Sequence, residues 1–241
     1  MKLDWKPYMN KHKDQRCFIL GNAPNLLDED LSLLKNEKVF ITNRGYKAKE
    51  FGLDHFDYQV IVDMGFYEDY ADEISKVSEG VKFYPDVTTE YKFYKGESFV
   101  PMYTLPTLRQ TSEQRKQLLK GLFPTSYEQG WGKTGNVVLN SCLVAYFMGF
   151  TEIYLIGVEM IYRAGSTHFY KDISNREKAV PDGHRSKGPK YLPQFVNFFK
   201  KNNVKFINLT QTFPYKELMK MDTLKNIIKE WRKIKSSYTT L

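Results

Sequence analysis

Cys17-Phe-Ile-Leu-Gly-Asn-Ala-Pro-Asn-Leu-Leu27 is the stretch whose reading decides the fold. Four apolar residues stop at Gly21, the mark of a buried strand, and Asn22-Ala-Pro-Asn25 followed by Leu26 and Leu27 has the pattern of a helix start. Strand, turn and helix in that order are the repeating unit of α/β proteins, and ligands sit on the turn. Free backbone N–H groups and the dipole of the following helix favour an anion there, such as a phosphate. The Gly-x-Gly-x-x-Gly dinucleotide fingerprint is missing, because Ala23 and Leu26 stand where its second and third glycines belong.

Outward from this unit, short apolar runs recur at 39–42, 58–62, 81–84, 153–157 and 205–209. Most are followed by helical patterns, at 25–34, 66–77, 112–122, 136–148 and 189–201, and a last one covers 218–235. Strands alternating with helices predict an α/β, Rossmann-like fold, a mostly parallel sheet with helices on both faces. The period fails at 85–111, which reads as a loop flanking the active site or an irregular edge strand. It fails again at 163–188, a stretch rich in charge and glycine that reads as a lid. The expected organisation is a catalytic domain over residues 1–214 and a basic amphipathic helix over 215–241.

The 241 residues suffice for one core that buries roughly 70 to 75% of the unfolded surface. Two cysteines, Cys17 and Cys142, lie in apolar runs and read as buried reduced thiols. No apolar leader or stretch long enough to span a bilayer is seen, so the expected location is cytoplasmic. The formal net charge is +8. In the last segment Leu224, Ile227, Ile228, Trp231 and Ile234 keep helical spacing among lysines, a pattern that lies on an anionic membrane face or packs on the body with its basic side in solvent. Recognition-helix, zinc-finger and RNP patterns are absent, which sets nucleic acid aside.

The helix at 136–148 is apolar nearly all round and reads as central and buried. Gly130-Trp-Gly-Lys-Thr-Gly-Asn136 leads into it. A P-loop does not fit, since Tyr127 stands at its first glycine and no strand precedes it. Lys133, Thr134 and Gly135 still form a second cradle for an anion or a sugar.

Gly21-Asn22-Ala23-Pro24, Thr42-Asn43-Arg44, the run from Met148 to Val158, and Gly183-His184-Arg185-Ser186-Lys187 together resemble the bacterial sialyltransferases of glycosyltransferase family 42. They are also similar to the related MptE-like domain of motility-associated, flagellin-glycosylating factors. The resemblance covers roughly residues 16–214 and implies a GT-A-like variant of the Rossmann fold. It implies inverting, metal-independent transfer of a nonulosonic sugar from a CMP-sugar to a glycan hydroxyl, in lipooligosaccharide or capsule biosynthesis. The CMP-sugar would be a donor substrate, with no resident cofactor and no metal. Carried over residue by residue, Asn22, Asn43 and Asp63 contact the donor, Thr134 and Gly135 match the family's Ser/Thr-Gly pair, and His184 matches its general base. Tyr162 and Tyr170 fall where its phosphate-contacting tyrosines stand. Glu159 replaces the acid of its Gly-x-Asp turn, and its catalytic arginine has Trp131 or Lys133 in its place.

The chemistry asks for the same residue types. An attacking hydroxyl must lose its proton, and histidine is the usual acceptor near neutral pH. His184 and His168 are the two candidates among four; His12, in a Lys-rich leader, and His55 read as surface residues. The charge on a departing CMP must be met by hydroxyls and cations, for which Tyr162, Tyr170, Arg185, Lys187 and Lys133 are available. Asp28-Glu-Asp30 reads as part of the first helix rather than as a metal site. Other readings are an MptE-like 6-hydroxymethylpterin diphosphokinase, using ATP and Mg²⁺ near Asp63 and Glu159, and a non-catalytic nucleotide- or glycan-binding module. Expected partners are the donor, a glycan acceptor, a membrane surface at the last helix, and a second copy of the chain.

Overall fold

The computed structural model describes residues 3–85, 98–102, 136–161, 168–171 and 188–238. Within them lies one open sheet of eight strands: β1 (Arg16–Leu20), β2 (Lys38–Thr42), β3 (Tyr58–Val60), β4 (Val81–Pro85), β5 (Val100–Met102), β6 (Glu152–Ile156), β7 (Lys205–Asn208) and β8 (Lys220–Met221). Their order is β5-β4-β3-β2-β1-β6-β7-β8, and every pairing is parallel. The α/β Rossmann-like class expected from the alternating runs is the one observed.

Alternation along the strands explains why those runs are apolar throughout. Cys17 and Ile19 face one side with Ile153 and Leu155, where α2 (Val137–Phe147) and α3 (Gly188–Lys201) contribute Leu143, Phe195 and Phe199. Phe18 and Leu20 face the other with Tyr154 and Ile156, where α4 (Leu224–Tyr238) packs Leu224, Ile227 and Ile228. Both faces are covered, so both side-chain sets must be apolar. Helix α2 is buried from Val138 through Ala145, as its all-round apolar sequence predicts. Both cysteines are free and buried.

The expected helix at 25–34 is instead two 3-10 turns, Pro24–Asp28 and Leu31–Leu34. Glu29 between them is extended (φ −97°, ψ 141°), and the Asp30 side chain accepts from the Ser32 N–H to start the second turn. The acids therefore separate two turns rather than decorating one helix. The last helix begins later than the apolar spacing implies, because Met221 pairs with Asn208 in β8 before Thr223 caps α4 through the Asn226 N–H, 3.2 Å. Within 85–111, β5 is an edge strand, the position at which Pro101 costs no ladder hydrogen bond. The segment 112–122 lies outside the described residues, as does all of 163–188 except 168–171 and Gly188.

His12 corrects the surface role expected for it. It is 6% exposed, stacked on Phe150 at 4.6 Å, with Nε2 2.5 Å from the Tyr58 hydroxyl. The leader is drawn in by its aromatic residues: Trp5 packs edge-on against Phe147 and Tyr8 against Phe83.

Candidate functional site

From β1 the chain moves to β2, and from β6 it moves the other way to β7. Crossovers therefore leave the carboxyl ends of β1 and β6 uncovered, which is where an open α/β sheet receives a ligand. The loops that meet there are fastened together: the Gly21 N–H donates to the Ile156 carbonyl (2.8 Å) and the Ala23 N–H to that of Gly157 (3.0 Å). A Cβ on Gly21 would stand 2.3 Å from the Gly157 oxygen, so only glycine permits the approach, and Gly157 itself sits at φ +64°. These bonds correct the phosphate cradle expected at the first turn. Its Gly21 amide is engaged by the last residue of β6 and its Ala23 amide by Gly157 just past it, and a five-residue 3-10 turn follows in place of a helix. What the turn offers is a side chain.

Six of the residues singled out from the sequence, Gly21, Asn22, Asn43, Asp63, Glu159 and His168, line one cleft at this point, together with Thr42 and Asn136. The Asn22 amide nitrogen donates to the Thr42 carbonyl (3.1 Å) and hydroxyl (3.2 Å), while that hydroxyl donates to the Leu20 carbonyl (3.0 Å). The chain of donors fixes which end of the amide is which, and Asn22 Oδ1 is left buried with no hydrogen-bond partner among the described residues. Asn43 Oδ1 is in the same state, on a residue held at φ 51°, a left-handed conformation asparagine tolerates. Its backbone is fixed by bonds to Val60 O (3.0 Å) and from Gln59 Nε2 (2.8 Å). Each orphaned acceptor costs about 1–3 kcal/mol. Hydroxyl or amino groups of a ligand satisfy them; phosphate oxygens, which only accept, do not.

Asp63 caps α1 (Met64–Ile74) by accepting from the Phe66 N–H at 3.3 Å, and Asn136 caps α2 by accepting from the Leu139 N–H at 3.1 Å. The loop after β6 is held by the loop after β7. Thr210 Oγ1 accepts from the Val158 N–H (2.9 Å), Asn208 Nδ2 donates to the Val158 carbonyl (3.2 Å), and Asn208 Oδ1 accepts from the Thr210 N–H (2.9 Å). This clamp holds the backbone beside Glu159, which is 4% exposed. Thr42, Asn208 and Thr210 carry no role in the sequence reading. The signal available was the one that marked Asn22 and Asn43, a short polar residue at or just past the end of a buried strand.

His168 is tied to the first turn through its neighbour, whose Phe169 N–H donates to the Asn22 carbonyl at 2.9 Å. Tyr170 is not among the residues lining the cleft. It is 6% exposed, its ring parallel to that of His168, and it belongs to the buried cluster on the α4 face of the sheet. Arg44 is also buried and pairs with Glu73 at 2.6 Å. Burial pushes the Glu73 carboxyl up, but hydrogen bonds from Arg44, Lys47 and Tyr46 outweigh it and hold the group below its ordinary value. Tyr162, Lys133, Thr134, Gly135, His184, Arg185 and Lys187 lie outside the described residues.

No family model and no curated protein matches the chain. Solved structures do. The sialyltransferase CstII from Campylobacter jejuni, in complex with cytidine-5'-monophosphate, is 16% identical over 87% of this chain and 85% of its own, with a TM-score of 0.50. The monofunctional alpha-2,3-sialyltransferase Cst-I from the same organism is 13% identical over 95% and 96%, with a TM-score of 0.53. The MAf glycosyltransferase from Magnetospirillum magneticum AMB-1 matches 91% of this chain with 37% of its own, at 16% identity and a TM-score of 0.50. The likeness is one of fold. At these identities the sialyltransferase fold is what the chain shares, and the chemistry has to be argued from its own cleft.

Proposed function

We propose that the chain is a glycosyltransferase that moves a sugar, a nonulosonic acid such as sialic acid, from a CMP-sugar to a hydroxyl of a bacterial cell-surface glycan. The observation that carries this reading is the cleft between the carboxyl ends of β1 and β6, where Asn22, Asn43, Asp63, Glu159 and His168 converge. That the shared fold includes CMP-bound CstII supports it. Ribose hydroxyls and the cytosine amino group are donors of the kind that Asn22 Oδ1 and Asn43 Oδ1 require.

Transfer is by single displacement: the acceptor oxygen bonds to the anomeric carbon as the bond to the CMP phosphate breaks, and its proton passes to an imidazole. His168, on the cleft wall, and His184, in the motif resembling the family's base, are the two residues for that role. Tyr162, Lys133, Thr134, Arg185 and Lys187 are assigned to the charge on the departing phosphate, without a metal. The basic face of α4 is assigned to an anionic membrane surface at the inner face of the cell. It acts by charge alone, since Leu224, Ile227 and Ile228 are already buried on the sheet.

The test is transfer from CMP-sialic acid and other CMP-nonulosonates to glycan acceptors, in the presence of EDTA, for the wild type and for His168→Ala and His184→Ala. One of the two variants should lose transfer while still binding CMP; full transfer by both would remove histidine as the base. A second reading, pterin diphosphokinase, draws on the two carboxylates Asp63 and Glu159 in the cleft. Release of AMP from Mg²⁺-ATP with a pterin alcohol, and no transfer from any CMP-sugar, would favour it.

A further inference from the structure

His168 lines the cleft from residues 168–171, which carry no helix or strand, and its ring is stacked on a neighbour. It lies parallel to the Tyr170 ring, 5.1 Å between centroids and 3° between planes. The Arg44 guanidinium carbon is 5.0 Å from the Tyr170 centroid and 4.1 Å from that of Tyr70. Glu73 holds the guanidinium at 2.6 Å. Stacking and cation–π contacts of this kind are stronger when desolvated.

The places these residues occupy in the chain give the arrangement its meaning. Arg44 follows Asn43 on the second cleft turn. Tyr70 and Glu73 lie on α1, which begins at Asp63 on the third. Phe169 is bonded to Asn22 on the first. Two turns that line the cleft are thus fastened to the segment carrying His168, the first through Asn22 and the second through Arg44, and the helix that starts from the third holds Arg44 in place.

We propose that Tyr170 and Arg44 are positioning residues, which set the plane of the His168 imidazole at the cleft wall before the donor arrives so that His168 takes part in the transfer. The proposal rests on reading the cleft as the donor site. It gives Tyr170 a role through His168 in place of direct contact with a phosphate, and it gives work to a buried arginine that the sequence motif contains and the chemistry had not used.

The experiment compares Tyr170→Leu, which removes the stack, with Tyr170→Phe, which keeps the ring, and with Arg44→Met. The first readout is the side-chain NMR spectrum of histidine-labelled protein, which has four histidines, with His168 assigned through His168→Gln. The Tyr170 ring current displaces the His168 ring protons, and His12, buried at the amino end of the sheet, reports that the fold is intact. Tyr170→Leu should move the His168 signals toward those of a free imidazole, Arg44→Met should move them the same way, and Tyr170→Phe should leave them displaced. The second readout is transfer: Tyr170→Leu should lower kcat about tenfold or more, with donor KM within about threefold, and Tyr170→Phe should keep most of kcat.

Unmoved His168 signals in Tyr170→Leu would overturn the proposal. So would a Tyr170→Phe as slow as Tyr170→Leu, or a His168→Gln that transfers at the wild-type rate. Should Tyr170→Leu lose the His12 signal and so the fold, Arg44→Met carries the same comparison. A wild type that transfers from no CMP-sugar defeats the donor reading, and the spectra then uphold or overturn the positioning by themselves.

Discussion

Asn22 shows how much one side chain's surroundings decide. As a residue type it offers a donor and an acceptor, but Thr42 takes the donor through both its carbonyl and its hydroxyl, so the cleft meets only an acceptor. Thr42→Val keeps the shape, removes the hydroxyl and leaves the Leu20 carbonyl without that donor. The expected cost is about 1–3 kcal/mol, read as a melting temperature roughly 2–10 °C lower, with CMP affinity reduced several-fold because the Asn22 amide loses an anchor. Unchanged melting and binding would show that the amide is oriented by something else. His12 makes a second prediction. Burial lowers its tendency to protonate, Lys38 and Lys11 add to that, and Gln15 and Asp57 oppose it with a smaller net effect. An unfolded histidine takes up a proton near pH 6.5, while the native state resists it. Stability is therefore full above that pH, falls as pH drops through it, and levels off below the native value. Urea midpoints at about pH 7.5 and 5.5 should differ for the wild type, and by less for His12→Phe. Equal differences would remove His12 as the source.

At the scale of elements, the first strand-turn unit carries the site because two backbones touch at Gly21 and Gly157. Gly21→Ala brings a methyl to 2.3 Å from a carbonyl oxygen and 2.8 Å from Val158 Cγ2, so the loops after β1 and β6 must part. The expected loss is about 1–3 kcal/mol, together with loss of CMP binding; a variant that melts and binds as the wild type would contradict the close approach. Elements of this kind were legible where burial writes a period or a run into the sequence, as in β1, β6, α1 and α2. The first helix was misread because Pro24 and two leucines look like a helix start, whereas the break at Glu29 depends on Asp30 capping Ser32. Asn22 and Asn43 were legible because they end buried strands. The clamp of Asn208 and Thr210 on Val158 was not, since it depends on β6 and β7 being neighbours, which no local pattern states. Tyr170 was placed by likeness alone; in a segment without a period, neighbouring residues give no indication of which ring faces the cleft and which the core.

For the whole molecule, sheet order does what no single residue can. Among the described residues the strands run outward from β1 to β5 on one side and from β6 to β8 on the other, so the reversal of direction falls between the two strands whose loops hold the cleft together. The terminal helix belongs to the same body: its apolar face covers the sheet, and Trp231 lies under the Arg16 guanidinium at 4.4 Å. The basic charge that the sequence places there is thus surface charge on a packed helix, and contact with an anionic membrane through it would weaken with salt. The central claim, that the cleft at the reversal receives the nucleotide of a CMP-sugar, is tested most directly by calorimetric titration of CMP into the wild type and Asn22→Ala, each with EDTA and with Mg²⁺. The account predicts binding to the wild type that is the same in both buffers and at least about tenfold weaker in Asn22→Ala, the loss of one ligand hydrogen bond in a buried site. Equal binding by the two proteins, or binding that appears only with Mg²⁺, would contradict it.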